Sequence, residues 1–115
     1  GVLNDPVFGP VVALGLGGIF AKILRDVTHR SAPFDLPTAR TMIDELKGRQ
    51  ILGGTRGRPA ADIEALADAL VNLSLLAADH KERIAEIDIN PLFVRPKGLG
   101  VVAADALIVL RRAAS

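Results

Sequence analysis

The sequence contains no cysteine, no tryptophan and no tyrosine. The missing thiols exclude disulfide stapling, cysteine-ligated zinc, iron–sulfur clusters and thiolate catalysis within this chain. Aromatic residues make up only 3%, which disfavours a base-stacking surface for single-stranded nucleic acid. Neither sign of charge is in real excess: 14 Lys and Arg face 13 Asp and Glu, a net charge of +1, without the basic surplus of a nucleic-acid binder. Long apolar runs are lacking too. The longest uncharged stretch, Pro6 to Ala21, is short of the roughly 20 apolar residues of a membrane span and is interrupted by Pro10, Gly15, Gly17 and Gly18. Gly1 to Pro10 lacks the positive region of a secretory signal. The expectation is a soluble cytoplasmic protein with no nucleic acid and no membrane among its partners.

What is present is a chain of 115 residues, half of them hydrophobic, which suffices for one core built from Val, Ile, Leu and Ala. Val11 to Leu16 is a short apolar run between Gly9-Pro10 and Gly17-Gly18, and Ile19 to Val27 follows with mixed alternation; the pair reads as a glycine-hinged hairpin. Ala39, Met42, Ile43 and Leu46 recur at helical spacing, with Pro37 suited to the first turn and Gly48 as a stop. Gln50 to Pro59 is turn-rich and basic and reads as an exposed loop. From Pro59 onward Ile63, Leu66, Leu70, Leu73 and Ala77 form one stripe, with Asp62, Glu64, Asp68 and Asn72 off it, as a helix packed on a sheet requires. No repeat, linker or low-complexity tract interrupts the chain.

The last third changes period. Ala85, Ile87 and Ile89 alternate with Glu86, Asp88 and Asn90, so a strand here has one apolar face and one acidic, amide-bearing face. A second strand, Val101 to Leu110, follows the turn at Pro96-Lys97-Gly98. A tight turn at Lys97-Gly98 sets Asn90 opposite Asp105, with β-carbons about 4.5–5.5 Å apart, and Asp88 two residues away on the same face. Two carboxylates and an amide carbonyl on a stiff sheet suit a hard divalent cation such as Mg²⁺, which takes one or two protein oxygens and completes its octahedron with water and phosphate. The same pattern also arises as the solvated side of a half-buried sheet, and a one-residue slip sends Asp105 to the other face.

Other signals are weaker. Gly15-Leu-Gly-Gly-Ile-Phe fits neither the dinucleotide nor the P-loop pattern and reads as a tight strand connection. Arg56 and Arg58 precede a helix start, where they suit phosphate, a partner's acidic patch or simply solvent. Ser31, Ser74 and Ser115 have no base nearby in sequence, so nucleophilic catalysis carries little weight. Arg111-Arg112 reads as a solvated tail.

The string Glu86-Ile-Asp-Ile-Asn-Pro-Leu92, with Asp105 in Val-Val-Ala-Ala-Asp-Ala, resembles the signature closing the ATP-grasp domain of ADP-forming acyl-CoA synthetases. This is the acetate–CoA ligase group related to succinyl-CoA synthetase β subunits. Asp5-Pro-Val-Phe-Gly-Pro-Val-Val-Ala-Leu-Gly-Leu-Gly-Gly-Ile-Phe20, Arg30 to Pro33 and Gly54-Thr-Arg-Gly-Arg-Pro59 resemble the same family in the same order, so the likeness covers nearly the whole chain. The resemblance implies an α+β fold, the second lobe of an ATP-grasp domain, with an antiparallel or mixed sheet covered by two helices. It implies Asn90 and Asp105 as ligands of the Mg²⁺ that bridges ATP phosphates, with Asp88 at an acidic position as ligand or supporting group. ATP or ADP and Mg²⁺ are then the cofactors. The implied reaction converts acyl-CoA, ADP and phosphate to a carboxylic acid, CoA and ATP, or the reverse, through a relayed phosphohistidine.

The resemblance assigns no catalytic side chain to this sequence. His29 stands where the family commonly has an aromatic residue and His80 ends the long helix, so both read as structural. An ATP-grasp site needs two lobes, so residues 1–115 are expected to be one domain-sized part of a larger protein, inactive alone and partnered by a CoA-handling domain or subunit. Exposed strand edges in such a part also predict self-association. Lys22 departs from the family's acidic residue and keeps an alternative in view, a non-catalytic ligase-like regulatory or interaction module of a protein acetyltransferase or another acyl-CoA-handling protein.

Overall fold

A computed structural model describes residues 1–16, 26–53 and 59–112. It shows the expected α+β architecture. Seven strands are described: β1 (Val2–Asp5), β2 (Gly9–Gly15), β3 (Val27–Ser31), β4 (Ile84–Ile89), β5 (Leu92–Val94), β6 (Val101–Ala103) and β7 (Ala106–Leu110). With them are two α-helices, α1 (Leu36–Asp44) and α2 (Ile63–Asp79), and a 3₁₀ turn at Arg49–Ile51. A five-stranded antiparallel sheet runs β3-β2-β1-β4-β7, and β5 and β6 form a separate two-stranded sheet.

β1 and β2 are a hairpin. The Asp5 carboxylate accepts the Val7 and Phe8 amides at 2.7 and 2.9 Å, and Gly9 closes the turn at φ +73°, a conformation that side chains disfavour. β2 also pairs antiparallel with β3, matching Gly15 to Val27 and Val11 to Ser31, so the observed partner begins where the expected strand Ile19 to Val27 ends. Residues 19–25 of the expected strand, its Gly17-Gly18 hinge and Lys22 lie outside the described residues, and Asp26 is not in a strand.

Both helices are capped by aspartate. Asp35 accepts the Thr38 amide and hydroxyl at the start of α1, with Pro37 in the first turn. Ala39, Met42, Ile43 and Leu46 are all buried, as their spacing predicts. α1 ends at Asp44, before Gly48. The Gly48 and Lys47 amides instead donate to the buried Asp26 carboxylate at 2.7 and 2.6 Å. α2 starts at Ile63 rather than near Pro59, because Asp62 is its cap and Ala61 is held in a bridge to Pro96. Leu66, Leu70 and Ala77 of its stripe are buried and meet Val2, Val12 and Ile87 from the sheet in one core. Ser74 is buried as well, donating to the Val71 carbonyl at 2.7 Å and accepting the Phe34 amide, which gives it a packing role.

The helices cover the β3-β2-β1 end. At the other end β7 is exposed along its whole length, with Leu107 59%, Ile108 51% and Leu110 60% accessible. The result is an elongated body of 57 × 28 × 24 Å with one packed end and one exposed strand edge.

Candidate metal centre

The pairing of β4 with β7 settles the register. Ile87 faces Ile108, Asp88 faces Leu107 and Ile89 faces Ala106, and one step further the Asn90 amide donates to the Asp105 carbonyl at 3.1 Å. The same register continues into the small sheet, where Leu92 faces Ala103 and Val94 faces Val101. The hairpin therefore turns where the sequence predicts, with Gly98 and Gly100 at φ +88° and +81° in the tip.

The expected single strand Val101 to Leu110 is nevertheless split in two. β6 pairs with β5 and β7 pairs with β4, and the break falls at Asn90-Pro91 on one side and Ala104-Asp105 on the other. At the break the Ala104 amide donates to the Pro91 carbonyl at 3.0 Å. The candidate residues sit at the fracture between the two sheets. A β-bulge between Ile84 and Glu86 also alters the expected alternation: Ile84 and Ile87 are buried, while Ala85 lies in the irregularity.

Asp88, Asn90 and Asp105 are exposed. Ile87 belongs to the buried, helix-facing side, so strand alternation directs Asp88 to the opposite face, and the paired Asn90 and Asp105 share that side. One Asp105 oxygen accepts the Ala106 amide at 2.9 Å, which orients the carboxylate and leaves its other oxygen open. Among the described residues no three His, Asp or Glu side chains gather as a metal group. The candidate set is two carboxylates and one amide, whose oxygens fit a hard cation that keeps open positions for water and phosphate.

The remaining expected residues fall elsewhere. His29 lies exposed on β3 and His80 exposed at the end of α2. Arg30 pairs with Glu45 at 2.7 Å and ties β3 to the end of α1. Arg56 and Arg58 lie outside the described residues, as does Ser115. Sequence reasoning missed Asp62. Its carboxylate accepts the Ala65 amide as a helix cap and the Gly98 and Gly100 amides at 3.0 and 2.9 Å, latching the β5–β6 turn to α2. These bonds, with the Lys97 charge, hold its pKa below the usual carboxylate value. The cap position just before the helical stripe was the available signal.

Comparison with known proteins defines the class. An ATP-grasp domain model matches residues 1–110, and the chain belongs to that family. It is 50% identical over 111 residues to the acetate–CoA ligase [ADP-forming] II subunit beta of Pyrococcus furiosus, covering 96% of this chain and 47% of that protein. The subunit beta of isoenzyme I from the same organism is 47% identical over 110 residues, covering 96% of this chain and 46% of that protein. Acetyl-coenzyme A synthetase 1 of Ca. Korarchaeum cryptofilum, solved with coenzyme A and Mg-AMPPCP, superposes with a TM-score of 0.87 at 44% identity, covering 96% of this chain and 50% of that one. The chain thus spans about half the length of these relatives.

Proposed function

We propose that this chain is the later lobe of an ATP-grasp domain and supplies the metal-binding, ATP-side part of an ADP-forming acyl-CoA synthetase. The reaction it serves interconverts acyl-CoA, ADP and phosphate with carboxylic acid, CoA and ATP. The observation that carries the reading is the register, which pairs Asn90 with Asp105 and places Asp88 two residues away on the same face. Asn90 and Asp105 would hold Mg²⁺, with Asp88 as a further ligand or as support. When bound, the ion neutralises charge on the phosphates of the nucleotide.

The chain's own part is positioning. Backbone pairing of β4 with β7 holds Asn90 beside Asp105, the Ala106 amide orients one carboxylate, and exposure of all three leaves room for a ligand carried by another lobe. A partner domain or subunit handles CoA, and the reading is of a cytoplasmic enzyme.

The test is Mg²⁺–nucleotide titration of the full-length protein beside its Asn90→Ala and Asp105→Ala variants. Loss of metal–nucleotide affinity of roughly tenfold or more in each, with folding retained, is expected for a lost ligand. Unchanged affinity and activity in both variants would overturn the metal assignment. Robust turnover of acetyl-CoA with ADP and phosphate by residues 1–115 alone would overturn the division of the site between lobes.

A further inference from the structure

The small sheet hangs from the candidate centre. β4 leads into β5 through Asn90-Pro91 and β6 leads into β7 through Ala104-Asp105, so the two connections that carry the β5–β6 hairpin also carry Asn90 and Asp105. Two bonds close this root: the Asn90 amide donates to the Asp105 carbonyl at 3.1 Å and the Ala104 amide to the Pro91 carbonyl at 3.0 Å. Among the described residues neither β5 nor β6 pairs with a strand of the main sheet. Tilting the hairpin therefore turns the backbone at Asn90 and Asp105 and moves both side chains. Leu92, Val94 and Val101 pack its inner face against the core, but apolar contact is non-directional and fixes no single tilt.

The far end of the hairpin is fastened to the segment that opens α2. The Asp62 amide donates to the Arg95 carbonyl at 2.7 Å, the Lys97 amide to the Ala60 carbonyl at 2.9 Å, and Ala61 bridges Pro96. To these backbone ties Asp62 adds a side chain that serves both elements at once. Its Oδ1 accepts the Ala65 amide in the first turn of α2 at 3.1 Å, and its Oδ2 accepts the Gly98 and Gly100 amides at 3.0 and 2.9 Å. Both glycines stand at positive φ, and no atom lies within 4 Å of where a Cβ would be, so the conformation of the turn, not a lack of space, calls for glycine. Hydrogen bonds to a carboxylate are stronger and more directional than the apolar contact beside them. α2 is itself anchored by Leu66 and Leu70 in the core, which gives the latch a fixed base. We propose that Asp62 is a positioning residue for the metal centre: by latching the hairpin tip to α2 it fixes the tilt that sets Asn90 and Asp105 side by side. The inference rests on the reading of those two residues as metal ligands.

Substitution separates the two duties of this carboxylate. Serine caps a helix about as well as aspartate but has a single oxygen on a shorter side chain, so Asp62→Ser keeps the bond to Ala65 and loses those to Gly98 and Gly100, whereas Asp62→Ala loses all three. In the full-length protein without metal, Asp62→Ser should speed amide exchange at Asn90 and Ala104 by about threefold or more. Exchange at Ala32, which bonds Pro10 at the β3 side of the sheet, should not change. Mg²⁺ titrated in the presence of ADP should bind about three- to thirtyfold more weakly to Asp62→Ser than to the unaltered protein. Asp62→Ala should weaken Mg²⁺ to the same extent while lowering the melting midpoint further, because it also loses the cap. An affinity loss in Asp62→Ala that is absent from Asp62→Ser would assign the residue to the helix cap alone and overturn the proposal. So would unchanged exchange at Asn90 and Ala104 in Asp62→Ser, whatever the metal does. Retained Mg²⁺ affinity in Asp62→Ser beside losses in Asn90→Ala and Asp105→Ala would sink the positioning role and leave the metal reading standing, whereas retained affinity in those two ligand variants would sink the metal reading itself.

Discussion

The two ends of the main sheet are built from similar residues and end in different states. At the β3-β2-β1 end, Val2 and Val12 of the sheet are buried in one core with Met42, Ile43 and Leu46 from α1 and its end and with Leu66 and Leu70 of α2. At the β7 end, Leu107, Ile108 and Leu110 are equally apolar and remain exposed. Apolar character makes burial favourable, but only a covering layer achieves it. Stability is therefore concentrated away from the candidate metal centre, which lies toward the uncovered end.

The largest expected contrast tests that separation. Met42→Ala should lower the free energy of unfolding by about 2–5 kcal/mol, as for other large-to-small core changes. Leu107→Ala should change it by about 0.5 kcal/mol or less, as for exposed positions. Urea denaturation of both variants measures the difference, and equal costs would show that β7 is packed in solution.

A polar tie within the covered end comes next. Asp26 is buried and accepts two backbone amides, so Asp26→Ala leaves both donors unpaired and should cost about 1–3 kcal/mol. Thermal denaturation with amide exchange at Lys47 and Gly48 checks it. A stability loss without faster exchange there would point to a different role for the carboxylate.

The smallest effect concerns the latch between α2 and the β5–β6 turn. The Asp62 pKa is lowered in the folded chain, so the carboxylate's contribution is fully present above the ordinary value near 4 and is lost as pH falls through the lower folded value. The amide resonances of Gly98 and Gly100 should titrate together with a midpoint below about 4. A midpoint at or above it would mean that the turn is not held by this carboxylate.

Much of this contrast was legible in the residues. The Ala39-Met42-Ile43-Leu46 spacing identified a buried helix face, and alternation around Ile87 together with the Lys97-Gly98 turn identified the register that pairs Asn90 with Asp105. Three features were not legible. β1 is only Val-Leu-Asn-Asp, too short to show a period, and is recognisable as a strand only from its partners on both sides. The bulge at Ala85 inserts a residue without a glycine or proline to announce it. The splitting of Val101 to Leu110 depends on which neighbour each half meets, and no local pattern encodes that.

The sequence by itself determined the helices, the turn and the local register, because helix caps, apolar periodicity and turn residues act within a few positions of one another. It also excluded thiol chemistry through the absence of cysteine. Only the tertiary structure decided that β1 is an inner strand and that the apolar β7 stays exposed. Those outcomes depend on contacts between segments up to about eighty residues apart, such as the Asn4 side-chain amide donating to the Ile84 carbonyl.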